Sequence, residues 1–206
     1  MKKINKSNRN MAQKGFTLIE MIGVLAVIAI LAGMLIPKIF EAMRNSRINA
    51  TLEAYNTLKA AVVDNIAKWG KIATTAGTAY TSGTSFDSIL FQEGRIDGRA
   101  ADKIPISTSS GTANVYVNVT AGTGAAAGSG YYLAGATGGN STANAAAVVE
   151  LIVRYVAAQD AQDLSMRLDG PALSVTTLGA ADTIGRVVYS AATGGKTDVY
   201  MYITHQ

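Results

Sequence analysis

Residues 14–37 read K-G-F-T-L-I-E-M-I-G-V-L-A-V-I-A-I-L-A-G-M-L-I-P. Residues 16–36 of this stretch are apolar or small except for Thr17 and one charge, Glu20. A helix rises about 1.5 Å per residue and a bilayer's hydrocarbon core is about 30 Å thick, so the run has transmembrane length. Before it stand Lys2, Lys3, Lys6, Arg9 and Lys14, and no acid. A secretory signal would have a shorter apolar core, roughly 7–15 residues, ending at a small-x-small cleavage site. Here the run passes straight into Pro37 and Lys38, which is the pattern of a signal anchor. The cation bias predicts a leader that stays in the cytoplasm and a remainder that faces outward.

The leader also accounts for the charge. The chain has 206 residues, 18 Lys and Arg, 14 Asp and Glu, and a formal charge of +4. Taking the five leader cations from the 18 leaves 13 against 14 acids, so the body is close to neutral. That argues against a nucleic-acid-binding body. There is no cysteine, hence no disulfide framework, thiolate metal site or cysteine nucleophile. The length suits one domain plus a long extra helix.

Beyond Pro37 the residues Ile48, Leu52, Tyr55, Leu58, Val62, Ile66 and Trp69 recur at steps of three and four, one apolar stripe of an amphipathic helix. Gly70 is a plausible stop. The spacing predicts a single helix over residues 16–69, apolar all round in its first half and one-sided in its second. Pro37 cannot donate to the carbonyl of Gly33, so a kink or a loosened turn is expected there, with the bland alternative that Pro37 simply ends the anchor. Ala29 and Gly33 form a small-xxx-small pair that permits close helix approach.

Glu20 has two readings. Thr17-Leu18-Ile19-Glu20 fits a capping box, in which Thr caps the helix and Glu reaches back. An anchor, however, needs no acid in its apolar span, where a carboxylate costs about 2.5–3.5 kcal/mol on insertion scales.

The residues K-G-F-T-L-I-E at 14–20, with the apolar run and Pro37, closely resemble the prepilin leader and N-terminal helix of type IV pilins and type II secretion pseudopilins. The resemblance implies that a membrane aspartyl peptidase cuts between Gly15 and Phe16 and methylates the new Phe16 amine. It implies that Glu20 pairs with the amine of an adjacent subunit during assembly. The expected divisions are a cytoplasmic leader (1–15), a transmembrane and filament-core helix (16–36), an amphipathic helix (37–70) and a pilin-like head (71–206). The precursor would be a single-pass protein of the inner or cytoplasmic membrane, with its head periplasmic or extracellular. Its partners would be copies of itself in a filament, minor pilins or pseudopilins, the prepilin peptidase, an inner-membrane assembly platform and membrane lipids. No cofactor and no enzymatic activity are implied. Phe16 at the cut suits type IVa pilins and pseudopilins, the 15-residue leader is longer than their usual one, and many pilins have a C-terminal disulfide loop that this chain lacks, so pilus and pseudopilus both stay open.

The expected head is α+β. Residues 85–93 read as a short helix with Ser85 as possible cap, ending at Gly94. Val115, Val117 and Val119 alternate with polar neighbours as in a strand. Residues 122–130 and 135–144 read as flexible, Gly-rich loops around Tyr131 and Tyr132. Residues 148–156 are ambiguous by period, and their β-branched content favours a strand. Residues 159–168 read as a helix stopped by Asp169-Gly170-Pro171, and 186–190 with 198–203 as a hairpin around Thr193-Gly194-Gly195. An antiparallel sheet covered by the long helix follows.

Chemistry-bearing patterns are few. His205 is the sole histidine and lies one residue from the end, where a mobile terminus is expected. The Gly-rich stretches contain no phosphate-cradling motif. Asp169, Asp182 and Asp198 fall in the region where, by resemblance, major pseudopilins hold calcium; their spacing matches no EF-hand, and surface acids are the default. Tyr131, Tyr132, Tyr189, Tyr200 and Tyr202 could form a stacking patch for DNA or carbohydrate, with core or sheet-face packing the plainer reading. The competing function is a membrane-tethered binding or catalytic domain that uses the helix only as an anchor.

Overall fold

In a computed structural model of the chain, the residues described are 15–75, 78–79, 85–107, 114–121, 131–133 and 147–205. The leader up to Lys14 and the two Gly-rich stretches lie outside them. The chain divides into two compact units, Met1–Met43 and Arg44–Gln206.

Helix α1, Leu18–Trp69, is continuous through Pro37, so the proline does not end it. It starts two residues later than the sequence suggests, because Thr17 is used as its cap. Its end is set by Gly70, which takes φ +67° and donates its N–H to the Ile66 carbonyl at 2.8 Å. In the first unit the large side chains of α1 are exposed all round, from Phe16 to Met43. In the second, Ile48, Tyr55, Leu58 and Val62 of the expected stripe are buried, and Leu52 and Ile66 pack against the same core. Two polar residues share that buried face: Thr51 bonds back to the Arg47 carbonyl (2.9 Å) and Asn65 donates to Glu93 (3.0 Å).

After α1 come a small ribbon, β1 (Ala73–Thr75) with β2 (Thr78–Ala79), then α2 (Phe86–Gln92) and α3 (Ala100–Lys103). The main sheet is built from β3 (Val115–Ala121), β4 (Ala147–Ala157), β5 (Val187–Tyr189) and β6 (Lys196–His205), with α4 (Ala158–Leu168) between β4 and β5. Its order is β3-β4-β6-β5 and every pairing is antiparallel. The sheet and the long apolar helix give the α+β, pilin-like arrangement expected.

Register explains the two faces. Val117↔Leu151↔Met201↔Val187 and Val115↔Val153↔Val199↔Tyr189 are rows across all four strands, and all eight side chains are buried in the core that also takes the α1 stripe. Burying each such aliphatic side chain contributes about 1.5–3 kcal/mol before entropic costs. The opposite face carries Tyr116↔Ile152↔Tyr200 and Asn118↔Glu150↔Tyr202. There Tyr131, Val148 and Val188 form a second, smaller core, with Tyr200 and Tyr202 half-buried against it. Of the five tyrosines weighed as a stacking patch, Tyr189 thus belongs to the main core and Tyr131, Tyr200 and Tyr202 to the second. Glu150 is fully buried under them, accepting from Tyr131 Oη (2.6 Å) and Thr120 Oγ1 (3.0 Å). Burial, with Glu150's charge adding to it, pushes the Tyr131 phenol well above its ordinary value.

A bulge in the β4–β6 ladder lies between Val149↔Thr204 and Glu150↔Tyr202. There the Tyr55 hydroxyl donates to the Tyr202 carbonyl, tying α1 to β6.

Two expectations need correction. His205 is the last residue of β6, paired with Val148, its Nδ1 2.5 Å from the Tyr202 hydroxyl; ladder pairing extends to the strand's end and holds it in place. Ser85 does stand at the N-cap position of α2, but its hydroxyl makes no cap bond. It donates instead to the fully buried Asp87, a carboxylate that also receives Ala100 N (3.3 Å), Val117 N (3.2 Å) and Arg99 Nε (3.2 Å). A buried carboxylate needs every donor in reach, and this one joins α2, α3 and β3.

Candidate processing and assembly site

The region singled out by sequence is the junction at Gly15. Gly15, Phe16 and Thr17 precede α1 without helical structure, and the Phe16 side chain is 81% exposed. A Cβ built on Gly15 meets nothing within 4 Å, and its φ does not lie in the left-handed region. Folding therefore sets no requirement for glycine here. Any requirement must come from a second molecule that approaches the backbone closely.

One turn further, Glu20 closes a capping box. Glu20 Oε2 accepts from Thr17 N at 2.8 Å and Thr17 Oγ1 at 2.7 Å, while Glu20 N is 3.4 Å from Thr17 Oγ1 and 3.1 Å from the Thr17 carbonyl. The local reading of T-L-I-E is thus realised: two amides left over at the helix start are satisfied by side chains. Both of these bonds to the carboxylate fall on one oxygen, Oε2. The other is available to a further donor, and the carboxylate already stands at the positive end of the helix dipole.

Further along, a Cβ on Gly23 or Gly33 would meet only open space, with nothing within 4 Å. Gly33 and Pro37 lie on an apolar surface that no part of this chain covers among the described residues, since Leu31, Met34, Leu35 and Ile36 are all more than half exposed. Such a surface is stable only in lipid or against other apolar helices.

The acids weighed as calcium candidates have other occupations. Asp169 accepts from Arg186 N (2.9 Å), Arg186 Nε (3.2 Å) and Val187 N (2.8 Å). Asp182 is buried and accepts from Ser165 Oγ (2.7 Å) and Ile184 N (3.3 Å); burial raises its carboxyl above the ordinary range. Asp198 accepts from Tyr155 N (3.1 Å). No group of three or more metal-capable side chains gathers among the described residues.

Residues 10–36 match the family model described as the prokaryotic N-terminal methylation motif. This motif is the signature of type IV pilins and pseudopilins, and it falls on a helix long and apolar enough to cross a membrane. No solved structure matches the chain. The match covers the junction and the apolar half of α1, leaving the head to be read from its own geometry.

Sequence patterns gave no sign of Arg44 or Tyr155. Arg44 bonds Asp160 (2.5 Å), Asp163 and the Gln159 carbonyl (3.0 Å), clasping α4 to α1. Tyr155 holds a left-handed backbone, φ +57°, within β4. Their partners lie far off in the chain or depend on a ladder irregularity, and neither leaves a local pattern.

Proposed function

We propose that the chain is the structural subunit of a type IV pilus-like or type II secretion pseudopilus filament, cut between Gly15 and Phe16 and assembled through α1. The observation that carries this reading is the match of residues 10–36 to the N-terminal methylation motif, on a helix whose first half exposes apolar side chains all round. Cleavage would convert the Phe16 amide nitrogen into an amine, one turn from Glu20. That cation has a natural partner in the carboxylate oxygen that Thr17 does not use. Pairing between neighbouring subunits would offset the cost of an acid in lipid and fix the register of joining helices. Gly33 and Pro37 would then serve close helix approach and local loosening in the filament core. The role needs no catalytic group, and partners would be other copies, minor subunits, the processing peptidase and a membrane assembly platform.

Intact mass of the natural protein tests processing: a chain beginning at Phe16 and one methylene heavier than the free amine is expected. Gly15→Val should accumulate at full length while keeping the unfolding temperature of the parent, because the glycine has no role in the fold. Glu20→Ala should be cut normally yet yield few filaments by electron microscopy. A natural product that keeps its basic leader, or full assembly by Glu20→Ala, overturns the corresponding step.

A further inference from the structure

Tyr155 is the one non-glycine residue with positive φ among those described. For a bulky side chain that conformation is a true outlier, and outliers of this kind persist where their surroundings over-determine them, often at ligand sites. The surroundings here do so. Arg154 N donates to the Asn114 carbonyl (2.8 Å), Ser107 Oγ donates to the Arg154 carbonyl (2.8 Å), and Tyr155 N donates to Asp198 Oδ1 (3.1 Å).

The strain coincides with a bulge. Between the pairs Val153↔Val199 and Val156↔Thr197, β4 has two residues, Arg154 and Tyr155, where β6 has only Asp198. Bulges re-aim side chains. In this one Tyr155 is 47% exposed within a strand that is otherwise mostly buried. It stands at a cavity of about 510 Å³ whose polar lining is Ser190, Thr193, Lys196, Thr197 and Asp198. That size lies in the usual range for small-molecule sites, about 300–1,000 Å³.

The polar groups are unequally engaged. Thr197 Oγ1 donates to the Ser190 carbonyl (2.8 Å). Thr193 and Lys196 pair only through their backbones, at 2.9 and 3.2 Å, so their side chains are not used in the turn. Asp198 Oδ2 is 3.9 Å from Arg154 Nε, too far for a hydrogen bond, and retains acceptor capacity. The site therefore presents an aromatic face, hydroxyls, a carboxylate and an ammonium. With Arg154 beside Asp198, one carboxylate stands against two cations, far from the run of positive charge that tracks a phosphate backbone. A nucleic acid would call for a cationic groove instead.

We propose that this cavity is a binding subsite for a neutral oligosaccharide. A pyranose lays its C–H face on the Tyr155 ring, and adjacent hydroxyls donate to Asp198 Oδ2 and accept from Lys196. The strained bulge fixes the ring in advance, which lowers the entropic cost of binding.

The test uses the full chain in detergent, with maltotriose, cellotriose and chitotriose as probes in saturation-transfer NMR. Transfer to the C–H protons of at least one sugar is expected. Tyr155→Ala and Asp198→Asn should each weaken that binding about tenfold, while Tyr155→Phe retains it. Tyr155→Gly separates folding from recognition: glycine accepts φ +57° without strain, so its unfolding temperature should equal or exceed the parent's while sugar binding is lost. The proposal is overturned by no transfer from any of the three sugars, by binding that survives Tyr155→Ala, or by a lowered unfolding temperature in Tyr155→Gly together with reduced self-association, which would assign the ring to contact between copies. Because subunits in detergent are measured, the result is independent of filament assembly.

Discussion

A single added methyl at Gly185 would meet Asp169, a carboxylate that three donors of the following strand segment share. Gly185 has φ +92°, and a Cβ there would lie 2.6 Å from Asp169 Oδ2 and 2.7 Å from its Cγ. Asp169 cannot retreat without releasing the Arg186 and Val187 amides, at 2.9 and 2.8 Å, and the Arg186 side chain, which also bonds the Leu168 carbonyl. Gly185→Ala thus combines a left-handed alanine with displaced buried hydrogen bonds, and should cost about 2–4 kcal/mol. Urea unfolding checks it: the midpoint falls while the slope stays the same. A loss below about 1 kcal/mol would mean that Asp169 relocates freely. The sequence marks Asp169 as an acid after a helix. It does not show that main-chain amides 17 and 18 residues onward are what it serves, because that contact exists only once α4 and β5 are side by side.

At the scale of elements, period and punctuation carried most of the fold. The stripe at Ile48, Tyr55, Leu58 and Val62 located the buried side of α1, and the β-branched run at 148–156 decided for a strand that the structure extends to Ala147–Ala157. Gly194 and Gly195, at φ +60° and +76°, make the turn between β5 and β6. The strand order β3-β4-β6-β5 and its bulges were not legible, since pairing partners leave no local signature. The N-terminal site was legible because its parts are contiguous: Gly15, Phe16, Thr17 and Glu20 span barely one turn. The clasp between α1 and α4 was not, as its partners are more than a hundred positions apart. Arg44 there faces Asp160 and Asp163, and Arg167 bonds Asn45 (2.7 Å) and Asn49. Arg44 is a quarter exposed, so water and salt weaken the clasp without abolishing it. Arg44→Ala leaves two acids one turn apart without their cation, and should lower stability by about 1–2 kcal/mol at low salt, less in high salt. Urea midpoints at two ionic strengths read this directly, with faster amide exchange in α4. A salt-independent loss would point to packing by the arginine stem instead.

Across the whole head, buried ionisable groups predict an asymmetric response to pH. On the acid side two groups oppose each other. The Arg95 hydrogen bond holds Glu93 below its ordinary value, so its contribution is present above the usual carboxylate range and is lost as pH falls. Burial raises Asp182, whose contribution is fully present below its ordinary value and is lost as pH rises through the raised one. The acid limb should therefore be shallow. On the alkaline side the shifts share one sign. Burial pushes Tyr55 and Tyr189 up to about 12, and also raises Tyr131, Tyr200 and Tyr202. A group raised in the folded state gives stability that is whole below its unfolded value, near pH 10, and vanishes as pH climbs through about 12. Tyr55 alone accounts for about 3 kcal/mol over that interval, and its phenolate would also lose the hydrogen bond it donates to the Tyr202 carbonyl. Heating scans from pH 7 to 12 should show a plateau and then a steep fall beginning near pH 10. Tyr55→Phe should flatten that fall at the expense of stability at neutral pH, because the carbonyl loses its donor. In a spectrophotometric titration, part of the tyrosine absorbance should appear only as the head unfolds. Smooth titration of every phenol near pH 10 with the fold intact would refute the burial on which the argument rests.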